Sequence, residues 1–278
     1  MTLPPAEAVL QWGLPRLRDL PWRRTRDPWA VLVSEVMLQQ TQVPRVVPKW
    51  LTFMDAFPTP ADCASVPLGE VLRLWQGLGY PRRARNLHAA AGMVAAAGTF
   101  PADLEGLQAL PGVGAYTARA VLAFAFEADV AVVDTNIARV LARVVGGRLT
   151  QRTAQATADA WLPIGDGWAW NQCLMELGAT VCRAAAPGCD DCPLASGCAW
   201  RGKGDDPAQG SAGVSRAQSP FAGSERQARG RLLAAVVRGP VPVGSAPHLM
   251  GHRAAPRLID ALCAEGLVRR DGDWLCLP

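Results

Sequence analysis

Flat and charged side chains are scarce in this 278-residue chain: aromatic residues make up 6% and charged residues 19%, with two tyrosines and three histidines. Low charge beside 50% hydrophobic content excludes a disordered polyelectrolyte and leaves a globular chain able to bury a substantial core. The histidines offer no ligand set. His88 stands alone, and His248 and His252 share helical spacing without a third partner, so all three read as packing or surface residues. No apolar run is long enough to cross a bilayer and no basic, apolar leader opens the chain, which predicts a cytoplasmic protein without a membrane role. What is present is a mild excess of positive charge, +4 with a sequence pI near 8.7, which suits a polyanionic partner. Eight cysteines are present too, and in a reducing compartment they are not expected to form disulfides.

The chain is organised around Leu110-Pro-Gly-Val-Gly-Ala-Tyr-Thr-Ala118. Gly112 and Gly114 permit a sharp turn that leaves backbone amides open at the start of a helix, a setting for phosphate; an ordinary helical hairpin has the same pattern. Past that helix stands Asp134, placed to cap the next one, and a carboxylate accepting backbone N–H bonds is expected to have a lowered pKa and stay ionised. Upstream, Asp27 and Pro28 open a helix read as Trp29 to Val43 and ended or kinked by Pro44, apolar around most of its first half, with Glu35 in its middle. Glu35 is either an idle solvated glutamate or a buried one whose pKa rises, leaving a proton available near neutral pH. One protonated and one ionised carboxyl is the division of labour that breaks glycosidic bonds.

Between Pro44 and Trp75, prolines punctuate short helical pieces with no alternating β-branched run, which predicts an all-α domain. Gly77-Leu-Gly-Tyr80 then forms an aromatic turn into a helix that carries Arg82, Arg83 and Arg85 in its first turns. Cations there oppose the helix dipole, and they read as phosphate contacts or as a solvated basic face. Cys182, Cys189, Cys192 and Cys198 crowd one Pro- and Gly-rich loop, and four thiolates suit a structural zinc or a [4Fe-4S] cluster equally well. Residues 202–223 read as a linker. The segment 224–278 predicts helices at Ser224–Val237, Ser245–Met250 and Ala254–Glu265 and a ribbon pairing Leu267–Arg270 with Trp274–Leu277, a small winged-helix-like module.

Taken together, Leu20-Pro-Trp-Arg23, Ser34-Glu-Val-Met-Leu-Gln-Gln-Thr-Gln42, Gly77-Leu-Gly-Tyr80, the glycine hairpin, Val133-Asp-Thr-Asn136, Trp170-Asn-Gln172 and the cysteine loop resemble the helix-hairpin-helix DNA glycosylases over roughly residues 5–200. Within them the chain is similar to the MutY-type adenine DNA glycosylases. The resemblance implies a helix-hairpin-helix glycosylase domain over 1–201 that includes a [4Fe-4S] loop at 182–198. It further implies a monomer, associated with the nucleoid, acting on double-stranded DNA with adenine mispaired with 8-oxoguanine or guanine. A tail of this length implies a short form without the Nudix-like domain of long members, and a shallower preference for 8-oxoguanine.

By the same resemblance, Glu35 matches the acid that protonates adenine, Asp134 the anion that stabilises the sugar cation, and Asn136 an amide beside it. Tyr116 stands where strand-cleaving relatives carry a Schiff-base lysine, which implies base excision alone. Trp22, Arg23 and Glu176 match the adenine pocket, Gln39 and Gln40 match amides that reach into DNA, and Tyr80 matches a wedge in the base stack. Pro81 and Thr135 depart from the usual pattern. The alternatives are a glycosylase for thymine or uracil opposite guanine, and a non-catalytic DNA-binding iron-sulfur protein.

Overall fold

A computed structural model describes residues 3–214 and 220–278. Helices dominate it. In chain order they are α1 (Ala6–Gly13), α2 (Pro28–Leu38), α3 (Val43–Ala56), α4 (Pro60–Ser65), α5 (Leu68–Leu74), α6 (Arg82–Ala97), α7 (Leu104–Gln108), α8 (Ala115–Ala125), α9 (Thr135–Val145), α10 (Gln151–Trp161), α11 (Gly167–Thr180) and α12 (Glu225–Arg238). Strand β1 (Val241–Pro242), helices α13 (Ala246–Met250) and α14 (Ala255–Ala264), and strands β2 (Arg269–Asp271) and β3 (Trp274–Cys276) complete the described chain. Two compact units divide it within α2: Met1–Val31, Ala102–Leu107 and Val113–Arg216 form one, and Leu32–Pro101, Gln108–Gly112 and Ala217–Pro278 the other.

The first unit is built on α9 and α11. Ile137, Val140, Leu141 and Val144 recur at helical spacing along α9 and pack on Trp170, Cys173, Leu174 and Leu177 of α11 and Val9 of α1. Burial of each large apolar side chain contributes about 1.5–3 kcal/mol, so this seam fixes the head of α9. Trp161 of α10 meets Trp170 edge to face, with ring centroids 5.0 Å apart. At the far end, Gly146 takes φ +74° and stops α9 with a left-handed cap.

The expected linker departs from its reading. Asp206 pairs with Arg143, the Ser211 hydroxyl accepts the Leu149 N–H, and the Ala212 N–H bonds the Leu149 carbonyl, so residues 206–212 belong to the first unit's packing. Short side chains that look linker-like in composition are also those that lie flat on a surface. Residues 215–219 of that stretch lie outside the described part.

In the second unit α6 packs on α4 and α5, and α12, the first helix of the tail, packs on α5, α13 and α14. The tail helices follow the sequence expectation closely. The ribbon gains a strand that the sequence reading missed, since β1 pairs antiparallel with β3 to give the order β1-β3-β2. A two-residue strand containing Pro242 carries almost no pattern of its own. Residues 224–278 thus cluster with 32–101, and the compact units do not follow the expected boundary at the linker.

The helix expected over Trp29 to Val43 is broken sooner. α2 ends at Leu38, Gln40 adopts φ +56°, and α3 starts at Val43 with Pro44 in its first turn. Proline in a first helical turn has no N–H to lose, so Pro44 begins a helix where the sequence reading had it end one.

Candidate active site and cysteine centre

Asp134 caps α9, in the first unit. Its Oδ1 accepts the N–H of Asn136 at 2.9 Å and of Ile137 at 2.7 Å, and its Oδ2 accepts Asn136 Nδ2 at 3.0 Å. Capping is as expected, but the tuning is a correction. Burial pushes the Asp134 carboxyl above the ordinary range, and the bonds from Ile137 and Asn136, with the nearby Arg139 charge, pull it back only in part. Neutral amides cannot replace the water that enclosure removes.

Asn136 is fixed in turn. Arg139 donates to Asn136 Oδ1 at 2.8 Å, to the Gly178 carbonyl at 2.5 Å and to the Cys182 carbonyl at 2.7 Å. A side chain at Gly178 would begin 2.6 Å from Asn136 Cβ, so only glycine lets α11 approach the head of α9 this closely. Asn171, 1% exposed, accepts the Val132 N–H and donates to the Val130 and Gly167 carbonyls, which holds the extended segment that delivers Asp134. Tyr116 lies half-buried in the first turn of α8.

Trp22 and Arg23 form a short 3-10 turn in the same unit, with Trp22 buried. Arg23 donates to Gln172 Oε1 at 2.7 Å and Glu176 Oε2 at 3.0 Å, while Arg18 meets Glu176 Oε1 at 2.5 Å. The structure therefore brings Arg23 and Glu176 together, with Trp22 beside Arg23 in the chain, and Glu176 is 1% exposed. Burial lowers the Arg23 pKa, against which the Glu176 carboxylate works.

Glu35 lies in the second unit, on α2 and 6% exposed beside the buried Ser34, which rules out the idle, solvated alternative. Gln39 and Gln40 follow in the break after α2. Gln40 (φ +56°) and Tyr80 (φ +48°) are left-handed without being glycine, a conformation that non-glycine residues hold only under constraint from their surroundings. Arg83 supplies that constraint. Its guanidinium is buried and donates to the carbonyls of Val36, Met37, Gln39, Leu78 and Gly79 and to the Thr41 hydroxyl. Reading Arg83 as a phosphate contact is thus corrected: it clamps the end of α2 to the Gly77–Tyr80 loop. Arg82 pairs with Glu265, and Arg85 donates to the Glu265 carbonyl and to Asn86. The hairpin turn places Gly112 at φ +80°, where a Cβ would sit 2.8 Å from Asn86 Cβ, whereas Gly114 is extended and caps α8.

The four loop cysteines line one cavity with Arg143 and Trp200. Arg143, 1% exposed, donates to Cys182 Sγ at 3.3 Å and to the Arg183 carbonyl at 2.7 Å, while its other edge grips Asp206. Burial pushes the Cys192 thiol up to about 11. Among the described residues no three His, Cys, Asp or Glu side chains converge tightly enough for a single ion. Four thiols lining one cavity, with an Arg143 N–H aimed at the Cys182 sulfur, form a donor set that suits a metal or iron-sulfur centre. Of the other cysteines, Cys63 and Cys173 are fully buried, with thiols pushed up to about 12 and about 11, as inert core residues are.

The model of the HhH-GPD superfamily base excision DNA repair proteins matches residues 33–164. An adenine DNA glycosylase of Mycolicibacterium smegmatis is 42% identical, with an alignment covering 98% of this chain and 95% of the relative. The chain belongs to the adenine DNA glycosylases. The human adenine DNA glycosylase is 44% identical to this one over 70% of this chain and 39% of its own length. Among solved structures, a thermostable thymine-DNA glycosylase is similar to it with TM-score 0.68 and 29% identity, covering 71% of this chain and 94% of that one. A non-covalent endonuclease III–DNA complex follows with TM-score 0.63 and 26% identity, covering 71% and 93%. The glycosylase is thus a DNA-binding enzyme of base excision repair that hydrolyses N-glycosidic bonds. No helix of its described residues is long and apolar enough to cross a membrane.

Sequence reasoning missed Arg139, Arg143, Asn171 and Gly178 of this glycosylase. Asn171 falls inside the Trp170-Asn-Gln172 motif and could have been flagged there. The two arginines look like ordinary members of an amphipathic helix, and Gly178 looks like a weak point in one.

Proposed function

We propose that the glycosylase excises adenine mispaired with 8-oxoguanine or guanine, with Glu35 as the acid that protonates the base and Asp134 as the anion beside the sugar. Proton transfer from Glu35 to adenine turns the base into a leaving group, the bond from its nitrogen to C1′ breaks, and water bonds C1′ through its oxygen while releasing the proton that restores Glu35. The single observation that carries the reading is Asp134, whose carboxylate is bonded by both Asn136 groups and by the Ile137 amide. That grip sets it in one orientation before the cation forms, the condition under which electrostatic stabilisation is effective. Trp22, Arg23 and Glu176 form the wall of the adenine pocket. Tyr116 has no amine for a Schiff base, so the backbone stays intact after base loss.

Cys182, Cys189, Cys192 and Cys198 hold a [4Fe-4S] cluster in this reading, supported by the chemistry of the donor set and by Arg143 at sulfur distance. When bound, the cluster supplies structural cross-linking of the loop. Gln39, Gln40, Tyr80 and the amides around Gly112 and Gly114 meet the DNA, and the protein works as a monomer in the cytoplasm at the nucleoid.

The test is incubation with duplexes carrying each mispair, with strand breaks assayed before and after alkali. Breaks only after alkali, and only at adenine, are expected. Breaks without alkali would overturn monofunctional excision. The similarity to a thymine-DNA glycosylase favours a second reading, and release of thymine or uracil opposite guanine would select it.

A further inference from the structure

A groove of about 960 Å³ lies within the second unit, between the Gly77–Tyr80 loop and α12. Five guanidiniums line it, those of Arg45, Arg82, Arg226, Arg229 and Arg231, and no carboxylate does among the described residues. Glu265, which meets Arg82 and Arg229 from outside the lining, offsets one of these charges. Such a surface is built for a polyanion.

Two rings give it a second character. Tyr80 and Phe221 both line the groove, and Phe221 is 59% exposed, unusual for so large an apolar side chain. Arg226 bridges them: it donates to the Tyr80 hydroxyl at 3.0 Å and lies 6.0 Å from the Phe221 ring centre. A cationic track interleaved with presented aromatic faces is the chemistry that holds an unpaired nucleic-acid strand, phosphates on the arginines and bases on the rings. An acidic peptide would use the charge and leave the rings idle.

We propose that this groove, made jointly by the Tyr80 loop and the C-terminal module, is a binding site for one strand of the DNA, with an unstacked base against Tyr80 and Phe221. The proposal rests on the chain acting on DNA and does not depend on which mispair it serves. The module would then be part of the DNA interface, and α12 its cationic wall.

Fluorescence anisotropy over a range of salt tests it, with a labelled duplex containing one adenine·8-oxoguanine pair and with the labelled single strand. Arg226→Gln with Arg231→Gln is expected to weaken binding about tenfold or more and to lower the slope of log affinity against log salt by about 2, since each phosphate contact contributes about 0.9. The control, Arg238→Gln with Arg269→Gln, removes the same charge from exposed positions outside the groove and should leave the slope nearly unchanged. Phe221→Ala should weaken single-strand binding about tenfold at salt high enough to screen the phosphates. If the double variant fails to fold, the exposed Arg231→Gln alone should lower the slope by about 1.

Equal losses in groove and control pairs, or an unaltered Phe221→Ala, would overturn the proposal. So would displacement by polyglutamate as effective as by oligonucleotide. Adenine release is read in the same samples. Full binding with no adenine release overturns the adenine reading and leaves the groove standing, whereas adenine release with no groove effect does the reverse.

Discussion

Asp134 at the head of α9 and Glu265 in the C-terminal module each gather three donors, yet they are tuned in opposite directions. Asp134 takes two backbone amides and a side-chain amide, and burial pushes its carboxyl up. Glu265 takes one N–H from Arg82 and two from Arg229, and these guanidiniums hold it down at about 2. The number of hydrogen bonds does not decide the tuning. Formal charge on the donors and access of water do, because neutral donors return only part of the solvation an anion loses. Asp134 thus keeps a charge that its neutral donors do not cancel, whereas Glu265 is neutralised by the two guanidiniums that tie it to α6 and α12.

Asp134→Asn would break this comparison most severely. Asparagine caps a helix about as well as aspartate, so α9 should stay capped while single-turnover adenine release falls on the order of 10³-fold, or about 4 kcal/mol of transition-state stabilisation. A rate near that of the parent would reduce Asp134 to a cap. Glu265→Gln comes next, with an expected loss of about 2 kcal/mol at neutral pH in a denaturant melt. Its acid dependence sharpens the contrast. The Glu265 carboxyl is depressed from 4.5 to about 2, so its contribution is complete above about pH 4.5 and is lost as pH falls toward 2. Asp134 has the opposite sign: raised from 3.8, it favours the folded state in acid, and that advantage disappears as pH climbs through its folded value. Melts of the two variants against the parent should therefore diverge with pH in opposite senses.

Gly178→Ala should cost about 1–3 kcal/mol and slow excision without any change of charge, since its methyl would displace Asn136. An unchanged rate would show that Asp134 is held without that neighbour. The smallest effect belongs to the exposed Arg257–Glu225 pair, where Arg257→Ala should change stability by no more than about 0.5 kcal/mol. A larger loss there would mean that pairing alone, without burial, accounts for the Glu265 contribution.

Much of the fold could be read from the sequence because it is written locally. Capping of α9 by Asp134 and the helices of the tail depend on residues within a turn or two of each other. Arg82, Arg83 and Arg85 show where that legibility ends. In the sequence they are three alike cations at the start of a helix; in the fold one pairs with a carboxylate 183 residues on, one is buried among carbonyls, and one bonds a carbonyl 180 residues on. Periodicity carries no information about such partners. Within the candidate site, type and motif singled out Glu35, Asp134 and Asn136. Those that only place them, Arg139, Asn171 and Gly178, were not, because their work consists of contacts between α9, α11 and the chain leading to Asp134.

The Arg83 clamp has a mechanical consequence. Val36, Met37 and Gln39 lie on or just after the helix that bears Glu35, and Leu78 and Gly79 precede Tyr80; all five carbonyls close on one guanidinium. Lysine has three donors and no planar fork, so Arg83→Lys would leave at least two of those five carbonyls without a partner. The loop that carries Tyr80 and the helix that carries Glu35 are geared through a single tooth, and neither can take a new position without turning the other.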